Sequence, residues 1–115
     1  QYKQMYKEKY LLFTSKKWSY NTTDNVYDPL VWTNTHAVLW PVSTFKGIRP
    51  GSVNTLDLWF EGGSRVTLNI KNGSHVKIMS IIGNTISSSS QSVITVADVL
   101  GQVYIHKDIY DCTIY

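Results

Sequence analysis

The chain has 115 residues, of which 43% are hydrophobic, 13% aromatic and only 17% charged. This length allows one domain with a single core and excludes a two-domain enzyme. The high apolar content with a net charge of +3 excludes a disordered chain, and no apolar run reaches the roughly 18 to 20 residues that span a bilayer.

The composition favours β-strands over helices. Val, Ile and Thr together supply 32 residues, whereas the good helix formers Ala and Glu supply two each. We therefore expect an all-β domain, a single antiparallel β-sandwich or jelly roll of about seven or eight strands. The one cysteine, Cys112, excludes an intrachain disulfide and a cysteine-based zinc site. It lies in an apolar–polar tail at residues 111–114, where a small buried hydrophobic residue is expected.

Residues 1–10 are predicted to form an extended or short-helical arm before a domain at 11–115. Five lysines and one glutamate give residues 1–20 a charge of +4, so the remaining chain carries −1. Tyr2, Tyr6 and Tyr10 are spaced four apart and would share one helical face. The arm is either a solvated basic segment or an interface with a neighbouring subunit that also uses Trp18. The arm has lysines between aromatic residues, a pattern that suits nucleic-acid binding. It contains no arginine, and no nucleic-acid-binding module is recognisable, so this partner is disfavoured.

The first half of the domain alternates between strands and loops. Residues 11–20 predict a strand, and residues 21–29 a polar loop that Pro29 closes. Residues 31–44 predict a strand with an edge or bulge at Pro41. Residues 45–52 contain two glycines and a proline, which predict a loop.

Residues 54–82 are the most informative stretch. Three apolar-alternating runs are separated by glycine-bearing turns at residues 61–63 and 71–73. Three-residue hairpin loops at both turns place apolar residues opposite each other on one face of the sheet. A register shifted by one residue would instead set apolar residues opposite solvent-facing ones. The predicted pairs are Leu58–Val66, Leu56–Leu68, Val66–Ile78 and Leu68–Val76.

The same register predicts a polar outer face with one large aromatic side chain. Trp59 would lie opposite Arg65 and form a cross-strand cation–π pair. Beyond residue 82, residues 83–91 predict a small-residue loop, followed by strands at 92–97, 102–106 and 109–114.

No catalytic or metal-binding pattern emerges from the titratable residues, so we expect no enzyme activity, cofactor or metal. The three histidines fall on separate predicted strands with no ligand at a fixed short offset, and loop aspartates more often cap turns than catalyse hydrolysis. The histidines are His36, His75 and His106, and the aspartates are Asp24, Asp28, Asp108 and Asp111.

The tryptophans suggest a second kind of function. Trp32 and Trp40 flank a core-like segment and are expected to be substantially buried. Trp59 is the best candidate for exposure, and with Arg65 it could stack on a sugar ring. A carbohydrate-binding or adhesin domain, secreted or at a cell surface, is therefore the alternative function.

The motifs of residues 54–96 resemble small β-sandwich virion proteins of tailed bacteriophages, of the spike-base and capsid-decoration type. The matching features are the runs LDLWF and VTLNI, the Gly62-Gly63 and Asn72-Gly73 turns, the run 75–82 and the small-residue loop 83–90. The chain has Lys71-Asn72 where a proline or alanine often precedes the second turn's glycine. The resemblance implies no catalytic residues. It implies a structural subunit of a virus particle that contacts copies of itself and other virion proteins, with no membrane partner.

Overall fold

The computed structural model describes residues 8–15, 18–21, 26–29 and 36–115, and the side chains of residues 8–15 and 36–115. In these ranges the chain forms ten strands, one α-helix and two short 3₁₀ turns. The strands are β1 (Tyr10–Thr14), β2 (Trp18–Asn21), β3 (Val26–Pro29), β4 (Ala37–Pro41), β5 (Phe45–Ser52), β6 (Thr55–Phe60), β7 (Arg65–Ile70), β8 (Val93–Asp98), β9 (Val103–Tyr104) and β10 (Ile109–Ile114). The helix is α1 (His75–Ser88), and the 3₁₀ turns are Val42–Thr44 and Glu61–Gly63.

The described strands form two four-stranded sheets and a separate two-stranded ribbon. The first sheet has the order β4-β1-β8-β9 and the second β10-β7-β6-β5, while β2 pairs with β3. The expectation of a mostly β fold is therefore confirmed, and its two four-stranded sheets are compatible with a sandwich. The expectation of purely antiparallel pairing is wrong, because β1 and β8 run parallel. Parallel neighbours require a long crossover, and most of the chain lies between these two strands.

The hairpin of β6 and β7 has the predicted register. Leu58 lies opposite Val66 and Leu56 opposite Leu68. The Phe60 amide donates to the Ser64 carbonyl at 2.8 Å, which leaves a three-residue loop. Gly62 and Gly63 both have positive φ angles, +77° and +82°, which side chains rarely adopt.

The third predicted strand of this meander is instead helix α1. Ile78 and Ile82, four residues apart, are fully buried, whereas Val76 is 75% exposed. Spacing by four puts both isoleucines on one helical face, and this packing outweighs the weak helix propensity of the segment. The partners predicted for β7, Val76 and Ile78, are therefore wrong.

Strand β10 takes the place beside β7. Cys112 lies opposite Leu68, and Ile114 lies opposite Val66. The helix also continues through Ser88, so most of the loop predicted at 83–91 is helical.

Three further segments differ from the predictions. Residues 45–52 form strand β5 rather than a loop, because an edge strand tolerates Pro50 and register shifts beside Gly47 and Pro50. The strand predicted at 11–20 is divided into β1 and β2. The loop predicted at 21–29 contains β3, which pairs with β2 to form the ribbon.

One hydrophobic core lies between the two sheets and the helix. Phe60 links the sheets, since its ring centroid lies 6.0 Å from that of Phe13 on β1 and 4.6 Å from that of Trp40 on β4. Phe45 adds a fourth ring at 5.4 Å from Phe60. Trp40 is half-buried against the core, and Trp32 lies outside the described residues. The fully buried members from strands and helix include Leu11, Phe13, Leu56, Leu58, Val66, Leu68, Ile78, Ile82 and Val96.

If residues 75–88 are helical, substituting the buried Ile82 should destabilise the protein far more than substituting the exposed Val76. Ile82→Ala is expected to lower the free energy of unfolding by about 2–5 kcal/mol, because it leaves a cavity in the core. Val76→Ala is expected to change it by less than about 0.5 kcal/mol. Urea denaturation measures both, and a large loss at Val76 would instead support the strand.

Candidate functional site

The outer face of the β10-β7-β6-β5 sheet carries the chain's most distinctive side-chain arrangement. Alternation along β6 buries Leu56, Leu58 and Phe60, and therefore turns Asp57 and Trp59 to the opposite face. The same alternation in β7 places Arg65, Thr67 and Asn69 on that outer face.

Four side chains form an arginine–aromatic row: Trp59 and Arg65 of this face, joined by Arg49 on β5 and by Tyr115, which follows β10. Arg65 Cζ lies 5.2 Å from the Trp59 ring centroid and 4.1 Å from that of Tyr115. Arg49 Cζ lies 5.6 Å from the Trp59 ring centroid. The row therefore runs from β5 across β6 and β7 to the residue that follows β10, with each guanidinium beside an aromatic ring.

The sequence predicted half of this row. The cross-strand pair of Trp59 and Arg65 is confirmed. Arg49 was missed because residues 45–52 were predicted as a loop, and Tyr115 because β10 was not recognised as the neighbour of β7. The signal for Tyr115 was the apolar alternation of Cys112 and Ile114, which turns the next residue outward.

Trp59 is held by packing rather than by hydrogen bonding. It is half-buried instead of freely exposed. Its indole Nε1 and Arg65 Nε are shielded from solvent, and neither has a hydrogen-bond partner among the described residues. Two guanidinium groups lie beside the ring instead.

The two arginines form no ion pair with a carboxylate of the described residues. Asp57 lies opposite Arg49 in the strand register, but its Oδ1 accepts a hydrogen bond from Thr67 Oγ1 at 2.7 Å. A Cβ at Gly51 would lie only 2.9 Å from Asp57 Oδ2, so this glycine makes room for the carboxylate. Salt bridges elsewhere on the surface do form, such as that of Lys46 and Glu61 at 3.5 Å.

A surface cavity of about 350 Å³ lies beside the row. Lys46, Gly47, Ile48, Arg49 and Trp59 line it. Gly47 is paired with Trp59 across β5 and β6, and its φ of +148° favours glycine. No side chain stands beside the indole at this position, so the cavity combines an aromatic wall with two cationic side chains.

The residues predicted to form an interface lie near the N-terminal end of the described chain or outside it. Tyr10 is half-buried as the first residue of β1, where its amide donates to the Ser92 carbonyl at 2.8 Å. Trp18 belongs to β2, but its side chain lies outside the described residues, as do Tyr2 and Tyr6. Their role as an interface remains a prediction.

Two of the described titratable candidates, His75 and Asp111, have side-chain contacts with the backbone. His75 Nε2 lies 2.7 Å from the Ser52 carbonyl oxygen, and the Asp111 carboxylate accepts from the Cys112 amide at 2.8 Å. The His36 carbonyl accepts from the Ser15 amide at 2.9 Å. Asp24 and the side chain of Asp28 lie outside the described residues. No group of three or more histidine, cysteine or acidic side chains that could hold a metal occurs in the described part of the chain.

Cys112 is a buried thiol in the core, as its sequence context predicted. Its Sγ donates a hydrogen bond to the Thr14 carbonyl at 3.1 Å and so links β10 to β1. Burial, reinforced by the charges of Asp111 and Asp98, raises the pKa of the thiol to about 12. Because a thiolate is the reactive form, this cysteine is chemically inert at neutral pH.

Asp108 is a buried carboxyl in the turn before β10. Its backbone amide donates to His106 Nδ1 at 3.1 Å, and its Oδ1 accepts from Lys107 Nζ at 3.3 Å. Burial acts to raise the pKa of Asp108. The hydrogen bond and charge of Lys107, with the charges of His106 and Lys71, outweigh burial and lower the pKa below its usual value.

The row predicts an energetic coupling between Arg65 and Tyr115. In a double-mutant cycle of Arg65→Gln and Tyr115→Leu, we expect a coupling of about 0.5–1 kcal/mol in the free energy of unfolding. A parallel cycle of Arg65→Gln and Val103→Ser, on the other sheet, should be additive. Equal values from the two cycles would mean that the stacked geometry contributes nothing.

The lowered pKa of Asp108 predicts an acid-dependent loss of stability. The carboxylate stabilises the fold fully above the unfolded pKa, and this contribution disappears as the pH falls through the lower folded pKa. The difference in melting temperature between the unmodified protein and Asp108→Asn should therefore shrink from pH 6 to about pH 2.5. A pH-independent difference would show that the carboxylate's charge has no role.

No helix in the described part of the chain is both long and apolar enough to cross a membrane. Comparison of the chain with models of known protein families, with curated proteins and with solved structures finds no match. The function must therefore be argued from the geometry and from the sequence resemblance.

Proposed function

We propose that the chain is a non-enzymatic structural subunit of a virus particle, and that its sandwich-like fold acts through contacts with copies of itself and other virion proteins. The assignment to a virus particle rests on the resemblance of residues 54–96 to phage virion proteins. The assembly role rests on the β2–β3 ribbon.

The ribbon is the observation that carries the assembly role. Strands β1 and β4 pair with each other, and the Ser15 amide still donates to the His36 carbonyl at 2.9 Å. Strands β2 and β3 lie in the chain between Ser15 and His36, and among the described strands they pair only with each other. An isolated two-stranded hairpin is marginally stable in water. A neighbouring subunit would supply the surface that such a ribbon needs.

The sheet edges support the same role. Three edge strands carry exposed apolar or aromatic residues, which are Leu39 on β4 at 49%, Val103 on β9 at 53% and Tyr110 on β10 at 55%. Edge strands with unpaired backbone groups and apolar side chains are ready to pair with another chain. Contacts between subunits would cover them.

Removing the ribbon tests the proposal. Residues 16–35 are replaced by Asn-Gly, a two-residue turn that suits the paired positions 15 and 36. We expect the full chain to form oligomers that dissociate on dilution, and the shortened chain to remain monomeric. Light scattering coupled to size-exclusion chromatography measures both.

The shortened chain must also be folded for the comparison to be informative. Its melting temperature should lie within about 4 °C of that of the full chain under dissociating conditions. Leu39→Ser serves as a second, milder variant, which should weaken assembly without removing the ribbon. A monomeric full chain at millimolar concentration, or unchanged oligomers after ribbon removal, would contradict the proposal.

A further inference from the structure

We infer that the arginine–aromatic row and its neighbouring cavity form a binding site for a carboxylated sugar. The site is separate from the ribbon and from the exposed edge residues on β4 and β9 that support assembly. Its chemistry follows from two guanidinium groups that form no ion pair with the described carboxylates, from the indole wall and from the cavity that Gly47 lines.

The two guanidinium groups have free hydrogen-bond donors among the described residues. Arg49 and Arg65 lie beside one indole, and their only described interactions are with aromatic rings. Asp57, the nearest carboxylate by strand register, is held by Thr67 instead. Stacking on a ring leaves the planar N–H donors of a guanidinium available, and these match the two oxygens of a carboxylate.

The cavity beside the two arginines has the size and lining for a sugar ring. The cavity of about 350 Å³ lies at the small end of the range for ligand sites and suits one sugar ring. Trp59 supplies an aromatic wall, and the absence of a side chain at Gly47 leaves the strand backbone open to hydroxyl groups. Lys46 adds a second positive charge at the rim, although it is paired with Glu61.

A bare anion would use the charges but not the cavity, and a neutral sugar would use the cavity but not the charges. A uronic acid residue uses both, because its carboxylate is attached directly to a pyranose ring. We therefore assign Arg49 to the carboxylate and Trp59 with Gly47 to the ring, while Arg65 packs beside the indole and Tyr115.

Calorimetric titration of the full chain at 0.15 M salt tests this assignment. The probe is trigalacturonate, and its matched control is the same trisaccharide with all carboxylates methyl-esterified. We expect the acid to bind at least tenfold more tightly than the ester. Sodium acetate at the same carboxylate concentration should not compete.

Variants locate the site. Arg49→Gln should weaken trigalacturonate binding at least tenfold, and Arg49→Lys should weaken it measurably because the forked donor geometry is lost. Lys77→Gln on α1 removes the same charge elsewhere and should leave binding unchanged. Circular dichroism and melting temperature confirm that each variant is folded.

Four results would overturn the inference. These are no binding of trigalacturonate, equal binding of its ester, full competition by acetate, and unchanged binding in Arg49→Gln. Calorimetry reads sugar binding and light scattering reads assembly, so a failure of the sugar site and a failure of the assembly role give different results.

Discussion

The contact of Phe60 with rings from both sheets is the interaction on which the rest of the structure depends. Phe13 and Trp40 reach it from the first sheet and Phe45 from its own sheet, so that one side chain closes the sandwich at this end. Because strand residues alternate between faces, burying Phe60 forces Trp59 outward. The core contact and the candidate binding site are therefore consequences of the same strand register, and neither could shift without the other.

Sequence reasoning succeeded where local patterns and packing agree. The β6–β7 hairpin was predictable because two alternating runs and a double-glycine turn allow only one register with all apolar residues inside. It failed at α1, where Ile78 and Ile82 fit a helical face but Val76 and Ile78 also fit a strand. Only the presence of β10 as the true neighbour of β7, some forty residues later, decides between them.

The candidate site was half predictable for a related reason. Trp59 and Arg65 are partners across a short hairpin, so their contact follows from turn length alone. Tyr115 joins them through a pairing that no local signal specifies, and Arg49 joins through an edge strand whose glycines and proline are typical of a loop. Distant strand pairing is where a single sequence carries least information, and Tyr115 reaches the row through the distant pairing of β7 with β10. Arg49 lies in a local hairpin of β5 and β6, which was missed because of its residue types and not because of sequence distance.

One of the N-terminal lysines, Lys9, contacts the C-terminal end of helix α1. Lys9 Nζ donates to the Ile86 carbonyl at 2.7 Å, in the last turn of a helix that has no basic residue of its own there. A cation at this position stabilises the exposed carbonyls and the negative end of the helix dipole. At least this lysine is used within the fold, where it holds the start of β1 against α1. The charge of Lys9 therefore has a structural role, at the C-terminal end of α1.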